Sequence, residues 1–157
     1  MGKVFEGRLE GAGLRIAIVA TRWNKDIVGL LVAGAKDAAR EHGVADERID
    51  LAWCPGAFEI PYTARKLALT GRYDALVALG CVIRGETAHF EYVAGEAAQV
   101  GAVARETGVP IGFGVLTTDT VDQAVERAGG KAGNKGAEAM LAAIETARLA
   151  RAIEENR

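Results

Sequence analysis

Four short stretches of the chain contain residue types that could bind a ligand or move a proton. Trp23 offers a flat aromatic face, which suits stacking on a planar heterocycle. Glu59 follows a Pro-Gly turn and His89 follows a Gly-Glu-Thr turn, so a carboxylate and an imidazole each stand after a chain reversal. An imidazole exchanges protons near neutral pH. A run of hydroxyl side chains at 117–120 completes the set.

Each of these side chains also has a purely structural interpretation. Trp23 could fill a core or an interface contact. Glu59 in the first turn of a helix favours the helix dipole whether or not it binds a ligand. His89 begins a helix in a region with few other titratable groups, which favours proton transfer. His42 lies near a helix C-terminus, where a cation is favoured, and no function is assigned to it.

An anion site is a further hypothesis. The Gly-Glu-Thr turn contains Glu86 and Thr87, and it could present backbone N–H groups and a hydroxyl to a phosphate. The pattern is neither a Walker A loop nor G-x-G-x-x-G. Arg127 and Lys135 bracket a glycine-rich segment. Such charges are usually solvated, but an arginine beside an anion-binding turn offers a bidentate contact to phosphate.

The elements that must position these groups can be read from the pattern of apolar residues. Short β-branched runs predict strands over 14–20, 49–53, 75–79 and 111–116. Helical spacing predicts helices over 27–42, 58–69, 89–105, 121–128 and 134 to about 154. This alternation predicts an α/β fold with a parallel sheet and helices on both faces. Ligands bind beyond the carboxyl ends of such strands, so we expect the four stretches to meet at one rim.

Several local features are predicted at the ends of these elements. Asn24 and Asn134 are expected to cap helices, and Thr120 with Gln123 forms a capping box. Gly80 is expected to end the third strand, and residues 129–133 are expected to form a flexible loop. Near the N-terminus, the β-prone pair at 4–5 could form an edge strand or reach a neighbouring subunit.

Composition excludes several classes of protein. The length of 157 residues fits one domain over residues 1–157. The formal net charge of -2 excludes a strongly basic nucleic-acid surface. No apolar run approaches a membrane span, and the first residues do not resemble a secretion signal. Cys54 and Cys81 lack metal-ligand spacing and are expected to be reduced thiols of a cytoplasmic protein. We therefore expect no metal and no membrane partner.

Longer motifs resemble one known family. The segments WCPGAFEIP at 53–61, GCVIRGETAHFEYV at 80–93, FGVLTTD at 113–119 and ERAGGKAGNKG at 126–136 look like those of the lumazine synthases. The likeness runs from about Val4 to the last helix. The resemblance implies a flavodoxin-like three-layer sandwich with a central, mainly parallel four-stranded sheet. It also implies homopentamers, of which twelve form an icosahedral shell in some members, with active sites between subunits.

The resemblance also implies an activity. Lumazine synthases are transferases of riboflavin biosynthesis. They condense 5-amino-6-(D-ribitylamino)uracil with 3,4-dihydroxy-2-butanone 4-phosphate to 6,7-dimethyl-8-ribityllumazine, phosphate and water, without a cofactor. Riboflavin synthase is a further candidate partner. Two other hypotheses stay open: an inactive relative that binds a flavin or a phosphosugar, and a mainly structural shell protein. The presence of His89 argues against the first, and a structural shell protein would not need Glu59, His89 and Arg127 together.

By position, the resemblance implies roles for individual residues. Trp23 would stack on the pyrimidine, and His89 would transfer protons. The residues that would hold the ribityl chain are Ala57, Phe58 and Glu59. The residues that would line the pyrimidine pocket through their backbone are Cys81, Val82 and Ile83.

The remaining implied roles concern phosphate and the neighbouring subunit. Glu86 and Thr87 would meet the phosphate end of the butanone, and Arg127 would bind phosphate with Lys135 nearby. Phe113 of an adjacent subunit would close the pocket. The sequence departs from the family pattern at Gly130, where threonine is common, and this glycine is expected to loosen the loop. Glu86 is an acid beside the phosphate site, so we expect its side chain to point away.

Overall fold

The computed structural model describes residues 2–156, in which strands and helices alternate. The strands of the main sheet are β1 (Ile16–Thr21), β2 (Ile49–Cys54), β3 (Ala75–Ile83) and β4 (Ile111–Thr118). The helices are α1 (Lys25–Glu41), α2 (Ile60–Ala68), α3 (His89–Ala97), α4 (Val100–Thr107), α5 (Val121–Glu126) and α6 (Lys135–Glu155). Two short 3-10 helices, Asp46–Arg48 and Ala57–Glu59, flank β2, and a hairpin of β5 (Ala128–Gly130) and β6 (Gly133–Asn134) precedes α6.

The main sheet has the strand order β2-β1-β3-β4, and every pair in it is parallel. This is the flavodoxin-like order, so the predicted fold class is confirmed. The inner strand β1 is buried along its whole length and shows no polar alternation, because helices cover both of its faces. The right-handed crossovers expected of such a sheet place the helices in two outer layers.

Two hydrophobic cores lie on the two faces of the sheet, and alternate residues of β1 serve each core. Ile18 packs with Leu31 of α1 and Met140 of α6 on one face. Val19 packs with Ile60 of α2 and Val100 of α4 on the other. All of these side chains are buried. The rigid sandwich fixes the carboxyl ends of the strands, where the candidate site residues lie.

The third strand is longer than predicted, which corrects the interpretation of Gly80 as its end. β3 continues to Ile83, with Gly80 paired to Val115 and Ile83 paired to Thr118. A Cβ at Gly80 would lie 3.1 Å from Cγ2 of Thr21, so glycine here allows close packing of β3 on β1. Long-range pairing with β4 overrides the local break signal. The extension carries residues 81–83 to the rim of the sheet.

The helix predicted over 89–105 is two helices. α3 ends at Ala97 and α4 begins at Val100, and between them the amide of Gly101 donates to the carbonyl of Ala98 only three residues earlier. Ala97 and Val100, on the two sides of this break, are both buried in the same hydrophobic core. A turn of 3-10 type therefore separates the two helices.

The segment 129–133, predicted as a flexible loop, is instead part of the β5–β6 hairpin. Ala128 pairs with Asn134, and Gly129 and Gly133 have positive φ angles of 112° and 82°. A Cβ at Gly130 would lie 2.8 Å from Cα of Glu126. Glycine at 130 therefore permits close packing on α5, contrary to the expected loosening.

The predicted caps after β4 are confirmed. Thr120 Oγ1 accepts from the Gln123 amide at 3.1 Å, and Gln123 Oε1 accepts from the Thr120 amide at 3.2 Å. Asn134 Oδ1 accepts from the Ala137 amide at 3.1 Å, and its Nδ2 donates to the Leu30 carbonyl at 3.1 Å. Asn134 thus caps α6 and also joins it to α1.

The N-terminal segment forms no strand within the described residues, so the edge-strand alternative for 4–5 is wrong there. Val4 is exposed and Phe5 partly so. Arg148 of α6 donates to the carbonyls of Glu10 and Ala12, both at 2.7 Å, and holds this segment against the domain. Contact with a neighbouring subunit stays a prediction. Among the described residues, no helix combines the length and apolar character needed to cross a membrane.

Candidate active site

A cavity of about 480 Å³ opens at the carboxyl ends of β1, β2 and β3. This is where a doubly wound sheet binds ligands. Its walls come from the segment after β1, the turn after β2, the extension of β3 and the start of α3. The lining residues are Trp23, Asn24, Gly56, Ala57, Phe58, Glu59, Cys81, Val82, Ile83, His89 and Val93.

Trp23 is 70% exposed, so it is not a core residue of this chain. Its amide donates to the Pro55 carbonyl at 3.2 Å, which continues the pairing of β1 with β2 beyond the strands. The indole therefore stands on a fixed backbone at the mouth of the cavity. An exposed aromatic in this position can stack on a planar ligand.

Asn24 occupies the N-cap position of α1, and its carbonyl accepts from the amides of Ile27 and Val28, but its side chain does not serve as the cap. Its side chain makes no capping bond, and its backbone is left-handed with φ 59° and ψ 39°. Asparagine tolerates this conformation better than most residues. Its Nδ2 instead donates to the carbonyl of Cys81 at 2.9 Å. Asn24 therefore joins two walls of the cavity.

Glu59 has one carboxylate oxygen in use. Its Oε1 accepts from the Gly56 amide at 3.1 Å, which satisfies one free N–H at the start of the helix. Glu59 therefore stabilises the start of the helix through Oε1, and its other oxygen is available to a ligand in the cavity. Glu59 also adds to the effect of burial in raising the pKa of the Cys54 thiol, although burial is the larger cause.

The third wall is the last part of β3. Cys81 is buried, and burial raises the pKa of its thiol to about 11, so the thiol stays protonated at neutral pH and is a poor nucleophile. Val82 and Ile83 are partly exposed. Because β3 ends at Ile83, this wall offers apolar side chains and backbone groups rather than charges.

His89 is the first residue of α3, and its side chain is exposed on the cavity wall. Its backbone amide donates to Thr87 Oγ1 at 3.4 Å. Within residues 2–156 the imidazole has no hydrogen-bond partner, so both of its nitrogens are free to serve a ligand. The position of the ring therefore depends on where α3 begins.

Glu86 and Thr87 lie in the loop 84–88 between β3 and α3, and both are exposed. Neither belongs to the cavity wall. They lie just before the first turn of α3, whose amides point toward the loop.

Phe113, Arg127 and Lys135 do not line this cavity. Phe113 lies on the edge strand β4 and is 38% exposed. Arg127 and Lys135 instead line a second cavity of about 330 Å³ beside the carboxyl-terminal half of β4, together with Glu138. Arg127 Nη1 donates to the Gln123 carbonyl at 2.9 Å, and the Lys135 amide donates to the Arg127 carbonyl at 2.8 Å. One chain therefore presents two separate groups of candidate residues.

No group of three or more His, Cys, Asp or Glu side chains in the described part of the chain could hold a metal ion. Three residues that line the cavity, Asn24, Gly56 and Val93, are not among the site residues predicted from the sequence, and Asn24 is predicted there only as a helix cap. The available signal was an asparagine beside an exposed tryptophan directly after a strand. The partner of Asn24 is a backbone carbonyl, that of Cys81, and such a contact cannot be predicted from the residue types.

The chain matches a family model described as 6,7-dimethyl-8-ribityllumazine synthase over residues 13–151. The match covers the whole sheet, all the helices that surround the cavity and most of α6. The chain therefore belongs to the lumazine synthase family, whose members are transferases that carry out a condensation in riboflavin biosynthesis.

Proposed function

We propose that this protein condenses 5-amino-6-(D-ribitylamino)uracil with 3,4-dihydroxy-2-butanone 4-phosphate to 6,7-dimethyl-8-ribityllumazine, with release of phosphate and water. The observation that carries the proposal is the single cavity that contains Trp23, Glu59 and His89 in a chain of this family. A stacking surface, a carboxylate and an imidazole are the groups that a planar, polyhydroxylated amine and its reaction require.

In this proposal the pyrimidine lies on the indole of Trp23, beside the backbone of Val82 and Ile83. The ribityl hydroxyls donate to the Glu59 oxygen that does not bind the Gly56 amide. The backbone around Ala57 and Phe58 holds the rest of this chain. Binding both substrates in one cavity lowers the entropic part of the barrier.

The chemistry needs proton transfers, and His89 is the proposed group. The uracil amine attacks the ketone, and loss of water gives an imine. A proton leaves the carbon next to the imine as the phosphate departs, and ring closure then expels a second water. His89 can accept and return protons at these steps because its imidazole is exposed beside the cavity.

The departing phosphate needs a cation, and the cavity with His89 contains none among its lining residues. We expect Arg127 and Lys135 of a neighbouring copy to supply it, with that copy's Phe113 closing the pocket, while Glu86 and Thr87 approach the phosphate from the chain's own loop. The separation of the two groups within one chain supports a homo-oligomer. A pentamer, alone or within a shell of twelve pentamers, is the expected assembly.

The deciding experiment is a turnover assay with both substrates on EDTA-treated protein, with the lumazine product followed by fluorescence and the spontaneous condensation subtracted. We expect a rate well above the spontaneous one. Product binding without turnover would instead indicate an inactive binding relative. A large assembly that neither binds nor turns over would indicate a structural shell protein.

A further inference from the structure

Arg84, the first residue after β3, contacts two carboxylates from different elements. Its Nη1 lies 2.6 Å from Oε1 of Glu91 in α3, and its Nε lies 2.8 Å from Oδ1 of Asp119 after β4. The Arg84 amide also donates to the Thr118 carbonyl at 2.8 Å. A planar guanidinium can hold two such partners in fixed directions, which a lysine ammonium cannot do as well.

A third contact places the same guanidinium against the residue next to His89. The Arg84 guanidinium carbon lies 4.4 Å from the centre of the Phe90 ring, within the range of a cation–π contact. Phe90 and Glu91 directly follow His89 in the first turn of α3. Arg84 therefore contacts that turn twice and joins it to the end of β4.

These contacts hold the first turn of α3, in addition to the packing of α3 on the 3-10 helix Ala57–Glu59 and on β3. The loop 84–88 has no regular structure, and each of its residues is exposed. The imidazole of His89 has no hydrogen-bond partner in the described residues. Misplacing a reacting group by about 1 Å costs a large factor in rate. The direction of the His89 side chain therefore depends on how the first turn of α3 is held.

We propose that Arg84 is a positioning residue, which fixes the first turn of α3 against the end of β4 and so directs His89 into the cavity. Arg84 is not an anion ligand in this arrangement, because the carboxylates of Glu91 and Asp119 occupy two of its three nitrogens. It acts on the reaction only through His89. The inference rests on the proposed proton-transfer role of His89.

Exposed ion pairs contribute little to global stability, which gives the test a matched control. Arg65 is as exposed as Arg84, with 49% against 47% of the side chain accessible. It bridges α2 to Glu106 of α4 at 2.9 Å. Its described hydrogen bonds and ion pairs do not reach α3. Arg65→Met should therefore remove a comparable ion pair without moving His89.

The first arm compares Arg84→Met, Arg84→Lys and Arg65→Met in the assembled protein. We expect Arg84→Met to lower kcat by roughly 10- to 100-fold, the scale of a misplaced reacting group. KM for either substrate should change by less than about threefold, because two of the three Arg84 nitrogens already bind carboxylates. Arg84→Lys should recover only part of kcat, and Arg65→Met should match the parent. A change confined to KM, or an equal loss in Arg65→Met, would overturn the proposal.

The second arm places Arg84→Met in a His89→Ala background. If Arg84 acts only through His89, its substitution should then lower the remaining rate by less than about twofold. Loss by the same factor as in the parent would show that Arg84 acts independently of His89, and the proposal would fail.

The third arm does not depend on turnover. Hydrogen exchange of the backbone amides at 93–96, which donate to the carbonyls of the first turn of α3, should be about tenfold faster in Arg84→Met than in Arg65→Met, because this turn opens more often. Unchanged exchange would overturn the positioning role even if the enzyme were active. An inactive parent would contradict the proposed function, and the exchange result would still decide whether Arg84 holds this turn.

Discussion

The side-chain amide of Asn24 donates a 2.9 Å hydrogen bond to the carbonyl oxygen of Cys81. This bond joins the segment after β1 to the extension of β3, two walls of the same cavity. Trp23 precedes Asn24, so the bond also fixes the distance between the indole and the backbone at 81–83. The width of the candidate pyrimidine site therefore depends on the side chain of one residue, whose backbone is in the left-handed region.

Replacing Asn24 should widen this site. Asn24→Ala loses the bond and places alanine at positive φ, so we expect it to lower the free energy of unfolding by about 1–3 kcal/mol. KM for the pyrimidine should rise more than KM for the butanone phosphate. Steady-state kinetics and denaturant unfolding measure the two effects. Asn24→Gly is the matched control, because glycine keeps the conformation without the bond. Equal KM changes for both substrates would contradict the assignment.

His89→Ala should slow turnover by about 10²–10⁴-fold, the usual contribution of a general acid–base group. The measured factor will be smaller if the spontaneous condensation is fast. We expect the variant to fold, because the His89 side chain is exposed and the residue lies at the first position of a helix. His42→Ala is the control, since this histidine lies at the C-terminal end of α1, where its Nδ1 contacts the Ala38 carbonyl. An unchanged rate in His89→Ala would leave this residue with no catalytic role.

Arg127→Ala should raise KM for the butanone phosphate about ten- to a hundredfold and leave KM for the pyrimidine nearly unchanged, because a hydrogen bond to a charged group contributes roughly 1.5–3 kcal/mol. Arg127→Lys should recover part of the lost affinity for the butanone phosphate, because lysine keeps the positive charge but cannot make the bidentate contact of a guanidinium. Inorganic phosphate should compete poorly in the alanine variant. Equal loss of both substrates would assign Arg127 to subunit contacts instead.

A mixing experiment tests whether a neighbouring copy supplies Arg127. His89→Ala and Arg127→Ala variants, unfolded together and reassembled, should regain activity at butanone phosphate concentrations well below the raised KM of Arg127→Ala, because some interfaces then combine an intact His89 with an intact Arg127. Reassembly of each variant alone is the control. If the mixture stays as inactive as its parts, both residues serve a site within one chain.

The stability of the protein should fall at alkaline pH partly because of Cys81. Burial raises the pKa of this thiol to about 11 in the folded chain, against about 8.5 when unfolded. Between these values the unfolded chain releases the proton first, so stability decreases as pH rises. From pH 8 to 10 the parent should lose roughly 2 kcal/mol more than Cys81→Ala. Denaturant unfolding at both pH values gives the difference, and parallel curves would contradict it.

Local sequence signals were sufficient for much of the fold. The buried run of β1 and the capping box at Thr120 and Gln123 are readable because they depend on neighbouring residues. Gly80 was misread because its break signal is local, while the ladder from Gly80 to Ile83 depends on β4, more than thirty residues later. Asn24 was misread for the same reason, since its partner is 57 residues away.

The sequence by itself determined the alternation of strands and helices, the family motifs and the stretches that follow each strand. These features depend on periodicity and turn residues, which involve only residues close together in the sequence. Only the tertiary structure decided which of these stretches meet. It gathers Trp23, Glu59 and His89 around one cavity and leaves Arg127 and Lys135 at another. Proximity across a sheet follows from strand order and register, and these are set by packing between distant segments rather than by any local pattern.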